Sequence, residues 1–155
     1  MTTNTSKIIT PLPEIVLIRG LPGAGKSTLA RSMTGYVHVE ADAFLYVDGR
    51  YVYDPQRVSA AHDECHRAAK AALAAGLRVV VANTFVKAWE MQRYIDLGYP
   101  FRIIEAKGSW SSTHDVSPAK LDLMRSRWQP VPERFRTHPN CKEVSVINGS
   151  SCPAQ

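Results

Sequence analysis

Residues 20–27 (GLPGAGKS) fit the pattern G-x-x-x-x-G-K-[ST] without a mismatch, and this pattern is compatible with few folds. Its backbone N–H groups can surround a phosphate only where a buried strand ends, a glycine-rich loop turns and a helix begins. Residues 14–19 (EIVLIR) are an apolar run typical of such a strand, and residues 26–34 predict a helix that ends at Gly35. The sequence therefore predicts an α/β domain built around a strand–loop–helix unit.

The residue types of this loop predict a site for a nucleoside triphosphate. Its glycines permit positive φ angles, which let N–H groups turn inward around phosphate oxygens. Lys26 offers an ammonium group to the β- and γ-phosphates, and the Ser27 hydroxyl is a ligand for Mg²⁺. We expect ATP and Mg²⁺ to bind here, and the predicted contacts are Gly20, Leu21, Pro22, Gly23, Ala24, Gly25, Lys26, Ser27 and Thr28.

The rest of the chain alternates between predicted strands and predicted helices. Strands are expected at residues 36–40, 77–82, 101–105 and 143–148, and helices follow Asp54, Thr84 and Ser117 as caps. Between them, residues 44–53 (FLYVDGRYVY) predict a hairpin around Asp48-Gly49. This alternation predicts a three-layer P-loop NTPase fold with an open, mostly parallel sheet of four to five strands. In such a sheet, polar residues that follow strand ends converge on one rim, where ligands bind.

With 155 residues, the chain is predicted to form a single domain that spans residues 1–155. We expect a flexible N-terminus at 1–12, a hairpin insertion at 45–54, a lid-like segment at 107–128 and a loosely ordered tail at 133–155. Trp89 and Trp128 lie on apolar helix faces and are expected to pack in the core.

Composition and charge narrow the class of partner and the compartment. The formal charge of +5 and the sequence pI of about 9.3 favour an anionic partner such as a nucleotide or a nucleic acid. No apolar run reaches the roughly 20 residues that a membrane span needs, so no membrane partner is expected. Three cysteines without a CxxC pair fit a reducing compartment, and we predict a cytoplasmic protein. The oligomeric state is left open.

Acidic residues follow the second predicted strand rather than the third. Motor ATPases and GTPases carry an acid at the end of an apolar strand next to the loop, but here that strand ends in Ala82-Asn83. Instead, Asp42 comes just after the strand at 36–40, where a carboxylate can accept the proton of an attacking hydroxyl. The other interpretation of Asp42 is a helix or turn cap. Strand alternation is expected to point Glu40 away from this site or to place it behind the residues that contact ligands.

Six sequence blocks in order resemble a known family. They read GLPGAGKST, VEADAF, VDGRYVYDP, AAHDECHRAAKAAL, VVVANTF and HDVSPAKLDLMRSRW, and the likeness runs from about Glu14 to Trp128. In this order they resemble the polynucleotide-kinase-like P-loop kinases, a group that includes the 5′-kinase domain of phage polynucleotide kinase. The resemblance implies that Asp42 is the general base and that Lys26 and Ser27 contact phosphate and metal. It also implies that Asn83 lies beside the substrate and that His114 belongs to a lid over the phosphates.

The chain departs from this family where the lid should supply a positive charge. Relatives carry an arginine just before the histidine that matches His114, but residues 110–113 here are WSST. Arg125 or Arg127 could replace that arginine as a catalytic group, or both could lie on a solvated helix face. Thr84 at the strand end and Arg50 at the hairpin tip are further candidate substrate contacts.

These features together predict an ATP-dependent kinase that transfers the γ-phosphate to a hydroxyl group. The acceptor implied by the resemblance and the basic charge is a nucleic acid, at a 5′-hydroxyl end or a hydroxylated modified base. Two alternatives stay open: a kinase for a small molecule or sugar nucleotide, and a nucleotide-binding regulatory module with weak catalysis.

Overall fold

The computed structural model describes residues 10–109 and 116–149. In chain order its strands are β1 Ile15–Arg19, β2 Tyr36–Val39, β3 Tyr46–Val47, β4 Arg50–Tyr51, β5 Arg78–Ala82, β6 Phe101–Ala106 and β7 Cys141–Ile147. Five of them form a sheet in the order β2-β5-β1-β6-β7, in which every pairing of neighbours is parallel. The predicted open parallel sheet of four to five strands is therefore confirmed.

The helices cover both faces of this sheet. They are α1 Lys26–Ser32, α2 Pro55–Ala74, α3 Ala88–Ile95, α4 Pro118–Arg127 and α5 Glu133–Arg136. Because side chains alternate along the central strand β1, Ile15 and Leu17 pack with α2, α3 and α5 on one face, while Val16 and Ile18 pack with α1 on the other. This helix–sheet–helix arrangement is the predicted three-layer architecture.

Two helix starts agree with the sequence prediction and one differs. The side chain of Asp54 accepts a hydrogen bond from the Gln56 N–H at 2.9 Å, and Ser117 caps α4 in the same way. The expected cap at Thr84 is wrong, because α3 begins only at Ala88. Phe85, with φ of 48°, interrupts the helical path, and the Thr84 carbonyl instead accepts a hydrogen bond from the Gly20 N–H.

Strands β3 and β4 form a short hairpin apart from the main sheet. Asp48 and Gly49 both have positive φ, at 50° and 77°, which suits the two-residue turns that join antiparallel strands. The rings of Tyr46 and Tyr51 pack edge to face with their centroids 5.7 Å apart. The hairpin therefore lies after β2 in the chain, at the edge of the sheet where that strand ends.

Residues 133–149 differ from the loosely ordered tail that the sequence suggested. Phe135 of α5 is buried in the core, and β7 completes the edge of the sheet beside β6. An edge strand has one neighbour and exposes polar residues, so its composition resembles that of a tail. Most of the N-terminus expected to be flexible lies outside the described residues. Among the described helices, none is both long enough and apolar enough to cross a membrane.

Candidate active site

The glycine-rich loop adopts the conformation that phosphate binding needs. Gly23 and Gly25 have φ of 83° and 89°, and α1 begins at the next residue, Lys26. The loop is braced on both sides, since Gly20 N–H donates to the Thr84 carbonyl at 3.3 Å and Gly108 N–H donates to the Ala24 carbonyl at 3.1 Å. A side chain at Gly20 would come within 2.7 Å of the Ala106 carbonyl oxygen, so only glycine fits there.

Lys26 holds a positive charge inside the loop. Its Nζ donates to the Leu21 carbonyl at 3.0 Å, which folds the side chain back across the loop. Burial lowers the pKa of Lys26 to about 8, although the negative charges of Asp42 and Glu40 oppose this shift. A buried ammonium group beside inward-turned N–H groups is suited to an anion. The residues present therefore fit a bound triphosphate.

Lys26→Met is expected to stabilise the nucleotide-free protein while it removes nucleotide binding. Burial of Lys26 lowers its pKa from 10.5 in the unfolded chain to about 8 in the folded protein, so below pH 8 the folded protein holds a buried charge. Removing this charge should raise the free energy of unfolding by up to about 3 kcal/mol. Between pH 8 and 10.5 the unfolded chain binds more protons than the folded protein, so the advantage of the variant should shrink as pH rises. Denaturant unfolding from pH 7 to 10 measures this. The exposed Lys70→Met is the matched control, and a pH-independent or absent gain would contradict the expectation.

Glu40 lies beside the loop, behind the residues that are predicted to contact ligands, which is one of the two positions expected for it. Burial alone would raise the pKa of Glu40, but hydrogen bonds from His38 and Ser27 and the charge of Lys26 together hold it below its usual value. The His38 Nε2 lies 2.7 Å from Glu40 Oε1. In a strand, residues two apart share a face, but the 3-10 helix that begins at Ala41 ends this periodicity between Glu40 and Asp42.

Asp42 lies on that 3-10 helix, Ala41–Leu45, close enough to Lys26 for their charges to interact. The Tyr51 hydroxyl of the hairpin donates to Asp42 Oδ1 at 3.4 Å. Burial raises the pKa of Tyr51 to about 12, and the negative charge of Asp42 and the hydrogen bond to Asp42 add to this shift. The hairpin therefore contacts the carboxylate that the sequence singled out, and Tyr51 remains a neutral donor to it at physiological pH.

Asn83 is buried, with an exposed fraction of 6%, at the end of β5. Its Oδ1 accepts a hydrogen bond from the Ala41 N–H at 2.9 Å, and its Nδ2 lies 3.7 Å from the Cys65 sulfur of α2. The side chain thus ties the start of the 3-10 helix to the end of β5. In this structure Asn83 holds the backbone one residue before Asp42, and the neighbouring Thr84 contributes its backbone carbonyl to the loop brace.

The remaining predicted site residues are not brought together with the loop. Arg125 and Arg127 lie exposed on the last turn of α4, where the Arg125 guanidinium is 3.1 Å from Asp122 Oδ1. Arg50 is exposed on β4. His114 lies outside the described residues. The structure therefore brings Lys26 and Asp42 together and leaves Arg50, Arg125 and Arg127 exposed to solvent.

Arg19, which sequence analysis missed, is a fully buried charge immediately before the loop. Its Nη2 donates to the carbonyls of Phe85 at 2.8 Å and Gln129 at 2.7 Å, while its Nη1 is 3.6 Å from Glu105 Oε2. The Trp128 ring stacks on the guanidinium with 3.8 Å between the ring centroid and Cζ. The signal in the sequence was an arginine that ends an otherwise apolar strand.

A cleft of about 350 Å³ opens between α2 and α3. Both helices begin at the carboxyl edge of the sheet, so the cleft starts on the same rim as the loop. Phe85 and Tyr94 lie at its buried side, and Trp89, with an exposed fraction of 63%, lies at its mouth. The expectation that Trp89 packs in the core is therefore wrong. An exposed aromatic ring beside a cleft offers a stacking surface for a flat ligand.

Comparison of the sequence with known families matches residues 15–127 to AAA_33, described as an AAA domain. A curated human protein, NEDD4-binding protein 2, is 30% identical over 157 residues, which include 90% of this chain. The chain spans only 8% of the length of that relative. The match therefore concerns one segment of a much larger protein.

Solved structures with the same fold include several kinases. A provisionally assigned kinase from Chloroflexus aurantiacus superposes with a TM-score of 0.65 at 21% identity, covering 88% of this chain and 85% of that one. A sugar kinase from Janibacter sp. gives 0.61 at 18% identity over 89% and 86% of the two chains. A chain of the Pnkp1/Rnl/Hen1 complex gives 0.52 at 18% identity, over 82% of this chain and 43% of the other. The predicted fold of small P-loop kinases is confirmed.

Proposed function

The chain belongs to the AAA_33 family, and from that premise we propose that it is an ATP-dependent kinase that phosphorylates a hydroxyl group of a nucleic acid. The observation that carries the proposal is the position of Asp42. This carboxylate lies just after β2, interacts with the charge of Lys26 and is held by Asn83 through Ala41. A base next to a triphosphate loop is the arrangement that transfer to a hydroxyl requires.

In the proposed reaction the loop binds the phosphates and Lys26 faces the β- and γ-phosphates. Asp42 accepts the proton of the acceptor hydroxyl. The hydroxyl oxygen forms a bond to the γ-phosphorus while the bond between that phosphorus and the leaving ADP oxygen breaks. Ser27 would hold Mg²⁺, which when bound neutralises charge on the phosphates. Arg125 or Arg127 would contribute positive charge if α4 moved over the loop.

A nucleic-acid acceptor is supported by charge and by exposed aromatic groups on one rim. The sequence carries a formal charge of +5, which favours a polyanion. The hairpin segment, whose Tyr51 contacts Asp42, exposes Tyr46, Tyr53 and Arg50, and the cleft exposes Trp89. Stacking on such rings combined with basic charge is the usual way to bind single-stranded nucleic acid.

A kinase for a small hydroxyl compound is the second candidate, favoured by the likeness to a sugar kinase. Transfer of label from γ-labelled ATP, with Mg²⁺, to a panel of acceptors separates the candidates. The panel contains 5′-hydroxyl DNA and RNA, hydroxymethylated DNA, sugars and sugar nucleotides, with Lys26→Met as the inactive control. Transfer to an oligonucleotide supports the proposal, whereas transfer to sugars alone replaces it with the second candidate. ATP binding without any transfer would point to a regulatory module instead.

Trp89→Ala is expected to weaken binding of an oligonucleotide acceptor by about 5- to 150-fold, because stacking contributes about 1–3 kcal/mol per base. The KM for a 5′-hydroxyl oligonucleotide should rise, while kcat and the KM for ATP change little. Trp89→Phe keeps a ring and should recover much of the affinity. Equal acceptor KM values for the alanine variant and the wild type would show that the cleft does not receive the base.

A further inference from the structure

The chain between β5 and α3 leads into the cleft through a residue with an unusual backbone. This connection is residues 83–87, and within it Phe85 is buried at the inner side of the cleft. The φ angle of Phe85 is 48°, which a bulky side chain adopts only where its surroundings enforce it. The groups that hold this connection therefore also determine the shape of the cleft.

One side of the connection is held by β1 and the start of the phosphate loop. The Thr84 carbonyl accepts a hydrogen bond from the Gly20 N–H at 3.3 Å. The Phe85 carbonyl accepts one from Nη2 of the buried Arg19 at 2.8 Å. Residues 19 and 20 thus fix the first half of the connection.

The other side is held by Gln129, two residues beyond the end of α4. The Gln129 N–H donates to the Val86 carbonyl at 2.9 Å, and the Gln129 carbonyl accepts from Arg19 Nη2 at 2.7 Å. Its side chain reaches α3, since Gln129 Oε1 accepts from the Ala88 N–H at 2.8 Å. Ala88 is the first residue of α3, and the N–H groups of a first helical turn have no partner within the helix. Gln129 therefore acts on α3 as a cap from a distant part of the chain.

We propose that Gln129 is a positioning residue for the acceptor, because its side chain fixes the start of α3 and with it the ring of Trp89. The inference rests on the proposed function, in which the cleft receives a base of the acceptor. Trp89 directly follows Ala88, and 63% of its side chain is exposed, so packing contributes little to its position. A ring whose backbone is held before binding avoids the cost of being ordered by the ligand.

Gln129→Met isolates the side-chain bond. Methionine has nearly the same size but no oxygen to accept from Ala88, and the backbone bonds to Val86 and Arg19 remain. Affinity for a 5′-hydroxyl oligonucleotide, labelled at its 3′ end and followed by fluorescence anisotropy, should fall by about 2- to 10-fold, the usual value of one hydrogen bond. The acceptor KM should rise by the same factor, while kcat and the KM for ATP stay unchanged. Amide hydrogen exchange at Ala88 should become faster.

Two further variants provide the rescue and the matched control. Gln129→Glu keeps an oxygen that accepts from Ala88 and should restore slow exchange and most of the affinity. Gln92→Met makes the same change on α3 itself, where it removes the 2.8 Å bond from Gln92 Nε2 to Asp96 Oδ1 outside the cleft. This control should bind the oligonucleotide as the wild type does. An equal loss of affinity in Gln92→Met and Gln129→Met would overturn the proposal.

Combining Gln129→Met with Trp89→Ala separates positioning from general support of the fold. If Gln129 acts through the Trp89 ring, its loss should have no effect once the ring is absent, so the double variant should bind as Trp89→Ala does. A residue that only supports the fold would weaken both backgrounds by the same factor. Additive losses would therefore overturn the proposal, and so would unchanged acceptor affinity in Gln129→Met despite faster exchange at Ala88.

These outcomes distinguish the role of Gln129 from the proposed reaction. If the wild type binds the oligonucleotide but transfers no phosphate, the kinase proposal fails and the affinities of the variants still decide the role of Gln129. If the wild type is an active kinase and Gln129→Met keeps the wild-type acceptor KM, the positioning role fails alone. A wild type that binds no oligonucleotide would overturn both, because the cleft would then receive no base.

Discussion

Asp42→Asn is expected to reduce the rate of phosphoryl transfer by about 10²- to 10⁴-fold, the usual contribution of a positioned general base. The amide keeps the size of the carboxylate and an oxygen that can accept the Tyr51 hydrogen bond, but it no longer takes up a proton. ATP affinity should change little, because the loop contacts are untouched. Single-turnover rates with saturating ATP and acceptor measure the effect on the transfer step itself.

The exposed residue Asp96, at the end of α3, provides the matched control. Asp96→Asn makes the same change away from the rim and should retain full activity. Transfer by Asp42→Asn at the wild-type rate would eliminate Asp42 as the base and return it to the role of a turn cap. A loss of ATP binding in the same variant would instead show that the carboxylate supports the loop.

Arg19→Met is expected to lower the free energy of unfolding by about 3–5 kcal/mol, which is the typical cost of breaking a buried charge pair from one side. The change leaves the carbonyls of Phe85 and Gln129 without their donor and removes the stacking partner of Trp128. Since domains of this size are stable by only about 5–15 kcal/mol, the loss is a large fraction of the total. Urea or guanidinium unfolding midpoints measure it directly.

Arg31→Met, on the exposed side of α1, is the control for the loss of an arginine and should shift stability by no more than about 0.5 kcal/mol. If the two variants unfolded at the same denaturant concentration, the buried guanidinium would contribute nothing net. Such a result would mean that Trp128 and the surrounding apolar groups repack around the methionine.

Features fixed by local chemistry could be predicted from this sequence. The loop pattern and the glycines of the hairpin turn depend on residues close together in the chain. The same holds for the caps at Asp54 and Ser117, and each of these formed as expected. The parallel sheet followed from the alternation of strands and helices. The loop, the hairpin turn and the caps depend on short-range rules, and the sheet depends on the order in which strands and helices follow one another.

Features that depend on distant partners could not be predicted. Thr84 has the residue type of a cap, but its carbonyl accepts a hydrogen bond from Gly20 in another part of the chain. Glu40 follows β2, yet its charge interacts with Lys26 of the loop that follows β1. Trp89 lies at an open cleft although its helix has an apolar face. In each case a tertiary contact outweighed a local preference.

Helix α4 is attached to the domain at two points of unequal strength. Near its start, Lys120 Nζ lies 3.7 Å from the Tyr53 ring centroid, an interaction that contributes about 0.5–1 kcal/mol at an exposed site. Just beyond its end, Trp128 and Gln129 are bound to the buried Arg19. None of the residues of α4 itself is buried.

A helix that is held weakly at one end and firmly at the other tilts about the firmly held end. Trp128 is therefore the point about which α4 would tilt. With a rise of about 1.5 Å per residue, Lys120 lies about 12 Å from Trp128 along the helix and Arg125 lies about 4.5 Å from Trp128. For any tilt, the Lys120 end moves more than twice as far as Arg125. Arg125 and Arg127 lie close to the firmly held end, so a tilt of the helix moves them less than it moves Lys120.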